Sequence, residues 1–170
     1  MQQSNGSDIE LTAPTVFVAE ATGAAEERSG QALRHAATVL AEIEADEVAA
    51  AAARISYEGD GLPHVEPDGR IASELRVGER VHVVRQGALL NGNSGSNVPG
   101  YAGTLYLTSE RLVHVGSAVF SVALEAVDEI SVVGERLLLT LSSGEGISID
   151  VAGPRLLRVQ IGTARKAAHG

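Results

Sequence analysis

The side chains of this chain best suited to acid–base or metal chemistry are five histidines, His35, His64, His82, His114 and His169. No two of them stand at the spacing that puts a pair of metal ligands on one helix face or one strand face. The sequence holds no cysteine, so thiolate zinc sites, cysteine nucleophiles and disulfides are excluded together. Asn93-Ser94-Gly95-Ser96 approaches a nucleophile elbow, but that turn needs glycine two residues to either side of its serine, and position 96 is Ser. Gly144-Glu145-Gly146 opens like a dinucleotide fingerprint, yet it lacks the third glycine and the following helix, and a hairpin turn accounts for it. The sequence therefore predicts no enzyme, no cofactor and no metal site. His82 and His114 fall in the middle of strand patterns, which predicts structural histidines; a facing, pH-sensitive pair is the alternative.

The elements that would position these groups belong to a chain of 170 residues, 44% hydrophobic, which suffices for one ordinary domain and an appendage. Three Tyr, two Phe and no Trp imply an aliphatic core with little surface for stacking on bases. The formal charge is −9 and is unevenly spread. Residues 1–60 hold eleven acidic and three basic side chains, a net −8, whereas residues 61–170 hold eleven and ten, a net −1. An acidic appendage repels phosphate backbones, so nucleic acid is not an expected partner. The first apolar run, Thr15 to Ala19, is too short for a signal-peptide core or a spanning helix, and a cytoplasmic location is expected.

Residues 1–21 show no periodicity and read as a disordered tail. Residues 22–57 read as an acidic amphipathic helical segment, with Leu33, Ala37, Leu40, Ile43, Val48, Ala51 and Ile55 recurring near the helical period. This stripe predicts docking, either on the chain's own barrel or on a second copy. Residues 58–74 are a linker by their Gly and Pro content. Residues 75–170 form the main domain. Strand patterns fall near Arg80–Gln86, Gly103–Thr108, Arg111–Gly116, Val119–Leu124, Ile130–Val133, Arg136–Ser142 and Gly146–Val151. After Gly153-Pro154 a helix follows, with Leu157, Ile161, Ala164 and Ala168 on one stripe and Arg155, Arg158, Arg165 and Lys166 on another arc.

Gly103 to Val115, Gly-Thr-Leu-Tyr-Leu-Thr-Ser-Glu-Arg-Leu-Val-His-Val, reads as a complete β-hairpin turning at Thr108-Ser109-Glu110. That hairpin, with the short strands and terminal helix after it, resembles the GRAM-type and bacterial pleckstrin-homology-like (PH-like) domains over roughly residues 75–168. The resemblance implies an α+β fold: a PH-like antiparallel barrel of about seven strands, capped by the C-terminal helix and preceded by the amphipathic helix. It also implies a binding role. Lipid-binding members hold inositol phosphates with Lys and Arg on the first two strands and the loop between them, but here no Lys or Arg occurs from Gln86 to Glu110. Membrane contact through a phosphoinositide-type basic loop is therefore not expected.

Protein recognition or self-association is the function expected, through Leu89, Leu90, Val98 and Tyr101 on the long loop from Gly87 to Gly103 and through Leu33, Leu40 and Ile43 on the helix. The alternative is a peripheral membrane or lipid module that contacts anions through Arg155, Arg158, Arg165 and Lys166.

Overall fold

The computed structural model describes residues 15–91 and 101–168, and the chain divides into two units, Met1–Leu40 and Ala41–Gly170. Helix α1 spans Thr15–Asp60. It begins inside the segment expected to be a tail and ends three residues into the expected linker. Alanine and glutamate, both good helix formers, fill most of residues 41–53, and the helix ends at Asp60 before Gly61, which sits at φ 68°, where glycine carries no Cβ penalty. In the first unit, the side chains described from Ala25 to Leu40 are exposed apart from half-buried Gly30 and Val39. His35 is among the exposed ones, and His169 lies outside the described residues.

The second unit is mixed α+β: seven antiparallel strands in one sheet and a C-terminal helix. The strands are β1 (Val81–Asn91), β2 (Tyr101–Thr108), β3 (Arg111–Val115), β4 (Val119–Ala123), β5 (Val127–Val133), β6 (Arg136–Leu141) and β7 (Gly146–Asp150), and α2 is Pro154–Ala168. Their order, β4-β3-β2-β1-β7-β6-β5, makes two meanders that meet where β1 pairs with β7. Leu157, Ile161 and Ala164 of α2 are buried with Leu105, Leu107, Leu124, Leu137, Leu139 and Ile149 in the main core. Every expected strand is present, and the helix carries Leu157, Ile161 and Ala164 of the predicted stripe into that core, while Ala168, in its last turn, is exposed.

Two expectations change. The long loop is shorter than the sequence suggests, because β1 continues through Leu89 and Leu90 and β2 starts at Tyr101. The register slips between Gln86 and Ala88, and Gly87 sits at φ 69°, a bulge that flips which parity of residue faces inward. Strict alternation therefore loses phase at Gly87. Second, part of the expected linker and the residues after it pack on the sheet: Ile71 and Leu75 on the face away from α2, and Leu62 against the main core. Ile71 is fully buried with Val81, Tyr106 and Val113, so residues from Thr104 to Thr108 are covered on both faces.

Polar groups fasten that cover. Asp68 accepts from the backbone N–H of Arg70 at 2.9 Å and from the Tyr106 hydroxyl at 2.8 Å. The Tyr106 bond holds the Asp68 carboxyl below its ordinary value. Glu79, whose side chain is fully buried, takes a two-pronged bond from Arg111 at 2.9 and 3.0 Å, a 2.6 Å bond from the Thr108 hydroxyl, and a 2.8 Å bond from Arg76 N–H. Thr108 also accepts from the backbone of Glu110 and Arg111, which fixes the turn legible in the sequence. His114 is buried and donates from Nε2 to the Ala88 carbonyl at 3.1 Å. A Cβ at Gly103 would stand 2.5 Å from the Val115 carbonyl oxygen and 2.7 Å from the His114 ring, so only glycine fits there. His82 does not face His114, since β2 lies between β1 and β3; it donates to the Pro63 carbonyl and its ring lies 5.0 Å from that of His64.

Burial works to raise the Glu79 carboxyl, but the bonds from Arg111, Thr108 and Arg76 outweigh it and hold the group below its ordinary value. A depressed folded value means that its contribution is complete above the unfolded carboxyl value of about 4.3. It is lost as the pH falls through the lower folded value. Glu79→Gln is expected to cost about 3 kcal/mol at pH 7 by leaving Arg111 without its counter-charge. In urea titrations the gap between wild type and variant narrows from pH 7 to pH 3; a gap independent of pH rejects the assignment.

Candidate functional site

In the second unit, α1 presents two opposed faces. Asp46, Ala50 and Ala53 are buried and Ile43 and Tyr57 half-buried, at steps of three and four residues that define one side of a helix. Asp46 anchors that side. Its carboxylate accepts from the backbone N–H of Arg155 at 2.8 Å and of Leu156 at 3.0 Å, while Leu157 N–H bonds to the Gly153 carbonyl and Pro154 has no N–H to satisfy. Every donor of the first turn of α2 is thereby accounted for, with the cap supplied by a residue more than a hundred positions upstream. The carboxylate also lies at the positive end of the helix dipole. Gly153, at φ 65°, leaves room for it: a Cβ there would approach Asp46 to 3.3 Å.

Further along, Gln160 of α2 donates to the Tyr57 hydroxyl at 3.3 Å and accepts from Arg85 at 3.1 Å, joining α1 to β1 through one amide. Burial pulls the Arg85 guanidinium below its ordinary value, with Tyr57 and Asp46 opposing that pull.

The other face of α1 is apolar and exposed. Val48 and Ile55 of the second unit are 65% and 78% exposed, and in the first unit Leu33 and Leu40 are 72% and 66% exposed. Ala37, Glu44 and Ala51 are exposed as well. Ile43, expected on the exposed contact stripe, belongs instead to the inward side of the second unit's part of the helix. Ala49 to Ala53 form an unbroken run with no size signal to mark the packed side, so Asp46 and Tyr57 decide it by hydrogen bonding.

The remaining candidates scatter. Leu89 pairs with Ala102 on one side and Asp150 on the other, and Leu90 with Tyr101 and Ile149, so both are ladder residues rather than loop residues. Leu90, Tyr101, Phe120, Val122 and Ile147 line an apolar recess of about 550 Å3, with Tyr101 53% exposed. Val98 lies outside the described residues. Arg155 is engaged by acids of α1, 3.2 Å from Glu47 and 3.8 Å from Asp46. Arg158 and Lys166 border a groove shared with Arg54, Tyr57 and Glu58, and Arg165 is half-buried. Among the described residues, no three His, Asp or Glu side chains gather as metal ligands, and no helix is long and apolar enough to cross a membrane.

No family model matches this chain, and no curated protein matches it. Among solved structures, the Vps36 N-terminal PH domain is similar, at 18% sequence identity over 63% of this chain and 92% of that one, with a TM-score of 0.47.

Asp46→Ala is expected to lower stability by about 1–2 kcal/mol, the range for losing a helix cap. Asp46→Asn, which keeps an accepting oxygen, is expected to lose less than half of that. An unchanged urea midpoint for Asp46→Ala would show that the carboxylate does not hold the two helices.

Proposed function

We propose that this chain is a non-catalytic PH/GRAM-like binding module that works by self-association, with the outward face of α1 as its contact surface. One observation carries the reading: α1 is fastened on its inner side by Asp46 and Tyr57 while Val48 and Ile55 stand in solvent. Burying a Val, Leu or Ile side chain is worth about 1.5–3 kcal/mol, so a helix that keeps several of them outward gains by covering them. The bonds that fasten it do not compete for that surface.

Self-association supports this assignment better than anion contact through α2, because Arg155 is already paired with Glu47 and Asp46. The acidic balance of residues 1–60 favours a protein surface over an anionic membrane.

Light scattering of the full chain over a concentration series is the test. Wild type is expected to form a dimer, and Leu40→Asp or the pair Val48→Asp with Ile55→Asp is expected to weaken it at least about tenfold, roughly 1.4 kcal/mol. The thermal midpoint of the diluted chain stays within a few degrees of wild type, since these side chains touch no core. Tyr101→Ser, at the separate recess, leaves the association constant unchanged. A monomer at every concentration, or a dimer indifferent to the Asp variants, refutes the reading.

A further inference from the structure

The sheet of the second unit has two free edges, β4 and β5, and they are built differently. A free edge offers unpaired N–H and C=O groups to any extended chain, and proteins usually guard it with charges, bulges or proline. β5 is guarded: Asp128 and Glu129 stand exposed on it, and its register breaks between Val127 and Glu129. β4, Val-Phe-Ser-Val-Ala, has no charge, no proline and no break in its pairing with β3. Val119 and Phe120 are 49% and 40% exposed, and Ser121 is exposed as well.

The bonds at the two ends of the β3–β4 pair show which backbone groups are open. Gly116 N–H donates to the Ala118 carbonyl at 3.1 Å, and Leu124 N–H donates to the Glu110 carbonyl at 2.8 Å. Bonded and non-bonded pairs alternate in an antiparallel ladder, so with the register unbroken Phe120 and Val122 turn their N–H and C=O groups to β3. Val119, Ser121 and Ala123 turn theirs away from the sheet, and among the described residues no backbone group answers them.

The apolar recess runs along this open edge. Phe120 and Val122 line it from the inner face of β4, Ser121 and Ala123 border it, and Leu90, Tyr101 and Ile147 form part of its other walls. A strand laid on β4 would send alternate side chains into it. The volume of about 550 Å3 falls within the range of ligand pockets. The charged residue of the lining is Glu145. Its carboxylate accepts from the Ser143 hydroxyl at 3.4 Å, and among the described residues no cation pairs with it.

We propose that β4 binds an extended segment of a partner protein as an added strand, with apolar side chains at alternate positions in the recess and a Lys or Arg at Glu145. A second copy of β4 fits less well, because Val119–Ala123 carries no cation for Glu145 and the copy brings a second carboxylate. The formal charge of −9 likewise favours a basic partner. This surface is separate from α1, so it stands whether or not α1 self-associates.

The probes are three fluorescent peptides, Lys-Thr-Φ-Thr-Φ-Thr-Lys with Φ as Val, Leu or Phe, titrated with the full chain by anisotropy. At least one is expected to bind with a dissociation constant below about 100 µM. N-methylation of its central Thr, whose N–H faces β4, weakens binding at least about tenfold, whereas N-methylation of a Φ residue, whose N–H faces away, changes it little. Replacing both Lys by Glu weakens binding to the wild-type chain, and Glu145→Lys reverses that preference. Amide exchange by NMR gives the position: without peptide, Phe120 and Val122 are protected and Val119, Ser121 and Ala123 exchange freely, and peptide protects the latter three. Absence of binding by all three peptides up to about 1 mM, equal effects of the two N-methylations, or indifference to charge reversal overturns the proposal. So does protection of Val119, Ser121 and Ala123 without peptide: if it rises with chain concentration a second copy occupies the edge, and if it does not the chain covers its own edge.

Discussion

The sheet of the second unit is continuous because β1 does not stop at Gly87. Each meander is locally encoded, with hairpin partners a few residues apart, but nothing local obliges the two to share a sheet. They share it through Leu89 and Leu90, which pair with β2 on one side and β7 on the other, and through Asn91, which pairs with β7. Gly87 makes this possible by taking a positive φ that a Cβ would oppose, so that a residue is absorbed without breaking the ladder. Beyond it, Ala88 turns inward to be fully buried, and its carbonyl receives the bond from His114. The main core gathers side chains from both meanders, and α2 lays Leu157 and Ile161 onto that joint surface.

What could be read from the sequence follows the range over which each signal acts. The hairpin at Thr108, the order of seven strands and the buried stripe of α2 depend on neighbours within a few residues, and all are present. The reach of β1 into the supposed loop was hidden because a bulge shifts the phase that alternation relies on. The outer cover at Ile71 was hidden because one apolar residue among Asp68, Gly69, Arg70 and Ala72 carries no period at all. Of the candidate surface, Leu33 and Leu40 were legible as a stripe. Ile43 was misplaced because alanine is the same size on every side of a helix.

Buried carboxylates fill the places where hydrophobic reasoning is silent. Glu79 and Asp46 carry no hydrophobic signal, yet each is buried and answered by several donors. The charge run from Glu42 to Glu47 is thus divided by function. Asp46 turns inward to cap α2, Glu47 pairs with Arg155, and Glu44 stays outward. A count of net charge treats these three alike, although only the first is desolvated. An isolated buried carboxylate is strongly disfavoured, which is why the donors at each site arrive from distant parts of the chain.

The chemistry of the inner face of α1 explains why its outer face is available. In the second unit, alanines at 50 and 53 allow close approach but release little apolar area, so burial alone would hold this helix weakly. Directional bonds at Asp46 and Tyr57 supply the missing definition, and they fix the rotation of the helix about its axis more sharply than greasy packing does. Once rotation is fixed, Val48 and Ile55 have no route to the core of their own unit: turning them inward would break the Asp46 cap and expose the first-turn N–H groups of α2. The large apolar residues are therefore held outward by hydrogen bonds made on the opposite side.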